Sequence, residues 1–145
     1  MPVEYHLPYT RPENQPRPHY YGDVVRRLFL AVGVVMLTTY PFFRDILTPL
    51  PVSLTMLAVL ALAFFAGLLN PKQRWVTMLN LGVSAAGVLV FEYYGIKAYG
   101  QVGVDARHVT FFVANQVLAL LFLAALYYSS KTVRGQYLGG KSIPE

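Results

Sequence analysis

The sequence has no cysteine among its 145 residues. Disulfide frameworks, cysteine-ligated Fe–S clusters and thiolate zinc sites are therefore excluded. Charged residues are also scarce, at 13% of the sequence, whereas a soluble domain carries about 25% because its surface faces water. This low charge indicates that much of the protein surface faces lipid.

Motifs typical of enzymes are missing as well. There is no Walker-type glycine-rich loop, no HExxH, no GxSxG, and no pair of carboxylates within one helical turn. The three histidines, His6, His19 and His108, lie outside the apolar runs, which argues against a haem held between helices. We therefore expect a protein that is not an enzyme and that binds neither a cofactor nor a metal.

What the sequence does contain is a set of four long apolar runs. They predict helices over about 24–43, 51–69, 75–96 and 108–129. About twenty residues with a rise of 1.5 Å each cross a hydrocarbon core of about 30 Å. No run alternates with a period of two, which excludes strands. We predict an all-α integral membrane four-helix bundle over residues 23–130, with up-down-up-down connections.

Prolines and connections shape this predicted bundle. Pro41 should end or kink the first helix, which has the shortest apolar run of the four. Asp105 is a suitable N-cap for the fourth helix. Only residues 70–74 separate the second and third runs, so we expect those two helices to form a tight antiparallel hairpin.

The two ends of the chain differ in composition from the apolar runs. Residues 1–22 contain five prolines and four tyrosines. Proline fixes φ and removes a backbone donor, so this segment is predicted to be a disordered cytoplasmic tail. It is either a plain tether or a peptide that docks on a partner, and composition leaves both interpretations open. Residues 131–145 are predicted to be a cytoplasmic C-terminal tail.

Basic residues give the orientation. We attribute the net charge of +5 to basic residues that set the membrane topology and contact lipid headgroups. Nucleic acid is therefore not expected as a partner. Nine Lys and Arg residues fall on the side of the termini and three on the other side. We predict an integral protein of a prokaryotic plasma (inner) membrane with both termini cytoplasmic. The predicted interface anchors are Arg26, Arg27, Trp75, Tyr93, Tyr94, Tyr127 and Tyr128.

Glu92 is the one ionisable residue within an apolar run, and such a residue is costly in lipid. One interpretation is that its carboxylate reaches the outer headgroups or pairs with Lys97, Arg107 or His108. The other is that it forms a proton or cation site at the mouth of a cavity. Both interpretations place Glu92 in the outer half of the third helix.

Four further polar residues complete the candidate intramembrane site. Asn115 and Gln116 lie in the outer half of the fourth helix, and Asn80 and Ser84 lie in the inner half of the third. Asn80 and Ser84 share one helical face with Gly87 and Phe91. These side chains either form hydrogen bonds between helices or line a path for a solute.

Two small-xxx-small pairs occur in the apolar runs, Ala63 with Gly67 and Gly82 with Ala86. Such pairs let helix backbones approach one another. Because these spacings are common in alanine-rich helices, we interpret both pairs as close packing within the bundle rather than as an oligomer contact.

Three functions fit this sequence to different degrees. The first is a non-catalytic accessory or scaffold subunit, with the bilayer and other membrane subunits as partners. The second is a homo-oligomeric transporter or channel for small solutes or ions, with a polar path between helices three and four. The third, a membrane enzyme using His108 and Glu92, has the least support. Any transport or chemistry is expected between helices three and four, toward the outer face.

Overall fold

The computed structural model describes residues 21–46, 50–68, 74–101, 103 and 105–138. Within these ranges the ordered elements are all helical: α1 (Gly22–Thr39), a short 3₁₀ helix (Tyr40–Phe43), α2 (Leu50–Leu68), α3 (Arg74–Tyr99) and α4 (Ala106–Leu138). The predicted all-α class is confirmed for this part of the chain. The predicted disordered tail over residues 1–22 lies outside the described residues except for Tyr21 and Gly22, which begin the α1 region.

Local chemistry explains where α1 ends and where α4 begins. α1 ends at Thr39 rather than at the predicted residue 43. Pro41, which was expected to end or kink this helix, has no N–H to continue the helical ladder, and the chain tightens there into the 3₁₀ helix. At the start of α4, the Asp105 side chain accepts a hydrogen bond from the Arg107 backbone N–H at 3.2 Å. The predicted N-cap is therefore confirmed.

The bounds of α4 correct the predicted end of the fourth helix. The helix continues to Leu138 rather than to residue 129, so residues 131–138 are helical and only residues 139–145 of the predicted tail lie outside the description. Its 33 residues correspond to about 50 Å of helix, which exceeds a hydrocarbon core of about 30 Å.

Among the residues that the structure describes, three helical segments are long and apolar enough to cross a membrane: Gly22–Phe43, Trp75–Tyr99 and Ala106–Gln136. These segments make the chain compatible with an integral membrane protein. α2 is shorter, with 19 residues, and is not among the three.

α4 packs antiparallel against α1. The Phe43 ring lies 5.1 Å from the Phe111 ring, near the start of α4. The Tyr21 ring lies 5.4 Å from the Tyr128 ring, near its end. α3 makes the most extensive interface with α4, also antiparallel, as the 5.6 Å contact between the Tyr99 and Phe112 rings indicates.

α2 packs mainly against α1 and makes a smaller interface with α3. A Cβ atom at Gly33 would lie 3.2 Å from Cε2 of Phe64, so α1 and α2 approach closely at this point. The predicted tight hairpin of the second and third helices is thus not the main packing of α2. Residues 69–73, which connect α2 to α3, lie outside the described residues.

Candidate functional site on the α3–α4 interface

The buried face of α4 follows a heptad pattern. The spacing alternates between four and three residues, as in antiparallel helical pairs, through Phe111, Asn115, Leu118, Phe122, Ala125, Ser129 and Thr132. The matching face of α3 contains Asn80, Ser84, Gly87 and Phe91, all buried, as their spacing indicates. Every buried polar side chain in the described part of the chain belongs to α3 or α4.

Gly87 sets the register between the two helices. A Cβ atom at this position would lie 2.4 Å from Cδ1 of Phe122, so the Phe122 ring lies directly against the α3 backbone. Asn80 precedes Gly87 by seven residues, and Ser129 follows Phe122 by seven. In an antiparallel pair this places Asn80 and Ser129 at the same level.

We name the polar side chains at this level the Asn80 cluster, which consists of Thr77, Asn80, Ser84, Ser129 and Thr132, all buried. The Ser84 hydroxyl donates to the backbone carbonyl of Asn80 at 2.7 Å, and the Thr132 hydroxyl donates to the backbone carbonyl of Tyr128 at 2.9 Å. Asn80 Oδ1 and Ser129 Oγ are buried without a hydrogen-bond partner. The cluster therefore contains a buried amide oxygen and a buried hydroxyl without hydrogen-bond partners, whereas most buried polar groups in proteins have one.

The Glu92 cluster lies toward the other end of the interface and consists of Glu92, Asn115 and Gln116. Gln116 Nε2 donates to Glu92 Oε2 across the helices over a long distance of 3.5 Å. A Cβ atom at Gly95 would lie 2.7 Å from the same Gln116 nitrogen, so glycine at this position leaves room for the Gln116 amide. The amide of Gln116 is thus the partner that Glu92 has across the interface.

The cations predicted as partners for Glu92 interact elsewhere. Lys97 Nζ lies 4.6 Å from the centre of the Tyr93 ring, and Arg107 pairs with Asp45 at 3.0 Å. His108 precedes Gln116 by eight residues, which is about 12 Å along the α4 axis. The structure does not bring His108 and Glu92 together.

An aromatic layer separates the two polar clusters. The rings of Phe91 and Phe122 are stacked with centroids 5.5 Å apart, and Phe29 of α1 lies 6.0 Å from Phe122. All three side chains are at most 1% exposed. With Gly87 closed against the Phe122 ring, the polar residues of the interface form two separate groups rather than one continuous path.

Asn115 faces a small cavity in addition to the interface. Its Nδ2 donates to the Phe111 carbonyl at 2.7 Å, while Oδ1 is buried without a partner. Asn115 is one of the residues that line a cavity of about 40 Å³ between α1, α2, α3 and α4. The other lining residues are mostly apolar, including Phe91 and Phe111. The cavity is therefore an apolar space with one unsatisfied acceptor beside it.

The sequence prediction missed Thr77, Ser129 and Thr132, which complete the Asn80 cluster. The heptad spacing of α4, extended beyond residue 129, identifies Ser129 and Thr132 as inward-facing positions. Because the fourth helix was expected to end there, that signal was not used.

The predicted interface anchors lie on the outside or at half-buried positions. Trp75 is 57% exposed, Tyr93 53% and Tyr127 59%, so these rings are available to a membrane interface. Arg26 and Arg27 are exposed as well. Tyr94 and Tyr128 are half-buried and pack edge-on against their neighbours Tyr93 and Tyr127, with ring centroids 5.3 Å apart in each pair.

The small-xxx-small pair of α3, Gly82 with Ala86, does not pack against another helix of the fold, contrary to prediction. Gly82 and Ala86 are both exposed, and a Cβ atom at Gly82 would meet no atom within 4 Å. In α2, Ala63 is fully buried, whereas the side-chain position of Gly67 lies outside the description. The α3 pair therefore belongs to the outward surface of the protein.

These features describe a helical protein with three membrane-compatible segments and a polar interface divided by aromatic side chains. No family model, curated protein or solved structure matches the chain.

Proposed function

We propose that α2 also crosses the bilayer, which gives a four-span bundle with up-down-up-down connections. Its 19 residues correspond to about 28 Å of helix, close to the thickness of a hydrocarbon core. The stretch from Pro51 to Leu69 carries no charged residue. Leu54 and Leu57 are 63% and 62% exposed, which suits contact with lipid.

We further propose that both termini lie in the cytoplasm. The excess of basic residues on the side of the termini supports this orientation. Lys131 Nζ lies 4.8 Å from the centre of the Tyr21 ring. A basic residue and an aromatic residue therefore meet where α1 begins and α4 approaches its end. Such a pairing suits the negatively charged inner leaflet.

Single cysteines test the number of spans and the orientation together, because the natural chain has no cysteine of its own. Asp45→Cys and Gln101→Cys should react with a membrane-impermeant maleimide in intact cells. Gln73→Cys and Ser142→Cys should react only after permeabilisation. Labelling of positions 45 and 73 from the same side would show that α2 does not span.

We infer that the protein is a non-catalytic accessory or scaffold subunit of the membrane. The outward surface of α3 supports this inference: Gly82 and Ala86 leave a shallow region between larger exposed side chains. Leu89 is 72% exposed and Tyr93 is 53% exposed on the same side. A transmembrane helix of another subunit fits such a surface, because small residues let two backbones approach closely.

Matched isoleucine variants test this surface. Ala86→Ile adds bulk on the outward face of α3, whereas Ala61→Ile adds the same bulk at an exposed position of α2. Purification in mild detergent should recover a stoichiometric membrane partner with the natural chain and with Ala61→Ile, and lose it with Ala86→Ile. Recovery of only a second copy would assign the surface to self-association. The absence of any stoichiometric partner would contradict the accessory function.

The Glu92 cluster supports a second candidate, a homo-oligomeric transporter or channel for a small solute or ion. Ionisable side chains within spanning helices often mark ion or substrate pathways, and Glu92 is such a side chain. Transport between α3 and α4 also requires the Phe91–Phe122 layer to open, since that layer separates the two clusters. Glu92→Gln and Asn115→Ala should then abolish uptake. Unchanged uptake and growth in both variants would exclude this candidate.

A further inference from the structure

Two basic residues lie next to each other near the end of α4. Lys131 and Arg134 are both exposed, and residues three positions apart are neighbours on a helix surface. Like charges this close repel each other. Within the described residues, the ion pair that forms is that of Arg107 with Asp45. No described carboxylate therefore offsets the charge of Lys131 or Arg134.

Two tyrosine rings position the Lys131 side chain. Lys131 Nζ lies 4.8 Å from the centre of the Tyr21 ring and 6.0 Å from the centre of the Tyr127 ring. Tyr21 is itself fixed to α4, because its backbone N–H donates to the Thr132 hydroxyl at 3.3 Å and its ring lies 5.4 Å from the Tyr128 ring. A cation–π contact orients an ammonium group without neutralising its charge. Lys131 is therefore a positioned cation that can still bind an anion.

An apolar surface of α4 extends from these cations toward the middle of the helix. Leu120, Leu123 and Tyr127 line a shallow depression on this surface and are 63%, 51% and 59% exposed. The eleven residues from Leu120 to Lys131 correspond to about 16 Å of helix. This length is close to half of a hydrocarbon core of about 30 Å, which is the depth of one leaflet. The apolar surface thus matches the acyl chain of a lipid whose headgroup lies at Lys131.

We propose that Lys131 and Arg134 bind the phosphate of an anionic phospholipid whose acyl chain lies along Leu120 and Leu123. Charge complementarity selects this lipid class, because a headgroup with a net negative charge balances the two cations. A zwitterionic headgroup brings a positive group of its own beside them. The inference rests on the proposed membrane topology, which places the site in the cytoplasmic leaflet, where anionic lipids attract basic residues.

Competition between two phospholipids tests the site on the full chain. The purified protein in detergent micelles is mixed with equal amounts of phosphatidylglycerol and phosphatidylcholine that have identical acyl chains, and native mass spectrometry measures which lipid stays bound. Each basic residue near an anionic lipid surface strengthens binding by about fivefold. We therefore expect a preference for phosphatidylglycerol of about fivefold or more. Equal binding of the two lipids would overturn the proposal.

Matched lysine variants locate this preference. Lys131→Gln should reduce it by about fivefold, while Lys131→Arg should retain it because the charge is kept. Lys97→Gln is the control, since Lys97 Nζ also lies over a tyrosine ring, 4.6 Å from the centre of Tyr93, but has no second basic residue within four positions on α3. Lys97→Gln should leave the preference unchanged. A preference that survives Lys131→Gln, or that Lys97→Gln reduces equally, would contradict the assigned site.

A soluble headgroup separates lipid binding from simple phosphate binding. Glycerophosphoglycerol is the headgroup of phosphatidylglycerol without its acyl chains, so it cannot cover Leu120 and Leu123 and should not displace the bound lipid. Displacement at equal concentration would overturn the proposal and leave a site for soluble phosphate esters. Micelles have no inner and outer side, so a failed lipid preference cannot result from a wrong topology, which the single-cysteine labelling tests independently.

Discussion

Replacing Gly87 with alanine tests the closest approach of α3 and α4. The new Cβ would lie 2.4, 2.5 and 2.6 Å from Cδ1, Cγ and Cε1 of Phe122, distances that real Cβ atoms essentially never show. The ring has little room to move, because Phe122 is fully buried and lies between Phe29 and Phe91. The helices must therefore separate by about 1 Å to restore ordinary contacts of about 3.5–4.0 Å.

The expected cost follows from two opposing terms. Overpacking of a close-packed interior costs about 1–3 kcal/mol, while alanine is more favourable than glycine in a helix by about 0.8–1.0 kcal/mol. Gly82→Ala is the matched control, since a Cβ there meets no atom within 4 Å. Both variants gain the same helix propensity, so Gly87→Ala should be less stable than Gly82→Ala by about 1–3 kcal/mol.

The measurement is reversible unfolding by SDS in mixed micelles, followed by circular dichroism. Combining Gly87→Ala with Phe122→Leu should recover part of the loss, because contacting residues show coupling energies of about 0.5–3 kcal/mol. Equal stability of Gly87→Ala and Gly82→Ala would refute the close contact between Gly87 and Phe122. Strictly additive effects in the double variant would refute the coupling.

Three further substitutions separate weak contacts from strong ones in the same unfolding assay. Ser129→Ala removes a buried hydroxyl without a partner and should be neutral or stabilising. A loss of about 0.6–2 kcal/mol in the free energy of unfolding would show instead that the hydroxyl forms a hydrogen bond between helices. Arg107→Ala breaks an exposed ion pair with Asp45 and should cost less than about 1 kcal/mol, with a larger loss contradicting its surface character. Gly33→Ala places a Cβ at 3.2 Å from the Phe64 ring. Because Phe64 is 38% exposed and its ring has room to shift, the free energy of unfolding should be unchanged or slightly raised. A loss similar to that of Gly87→Ala would show that α1 and α2 are as tightly packed as α3 and α4.

The site could be predicted from the sequence only in part. Glu92 stands out because charge is rare in an apolar run, and Gln116 was placed on the neighbouring helix. Their contact across the interface depends on the antiparallel register of α3 and α4. The cavity beside Asn115 was not predictable, since its walls come from several separate elements.

The positions of the helical segments and two of their ends follow from local sequence. Long runs without charge form helices in lipid because each backbone group must be satisfied within its own segment. Pro41 ends α1 because it lacks a donor, and Asp105 caps α4 because its carboxylate accepts a free N–H. These are local effects, and they need no partner helix.

Which face of each helix is buried depends on contacts between helices. A helix that is apolar on all sides gives little periodic signal, so Gly82 and Gly87 look alike in the sequence of α3. The fold closes Gly87 against Phe122 and leaves Gly82 open. The packing of α4 against both α1 and α3 likewise depends on how the side chains fit together. Lipid tails are as apolar as the helix surfaces, so burying those surfaces against each other gives no preference between a neighbouring helix and lipid.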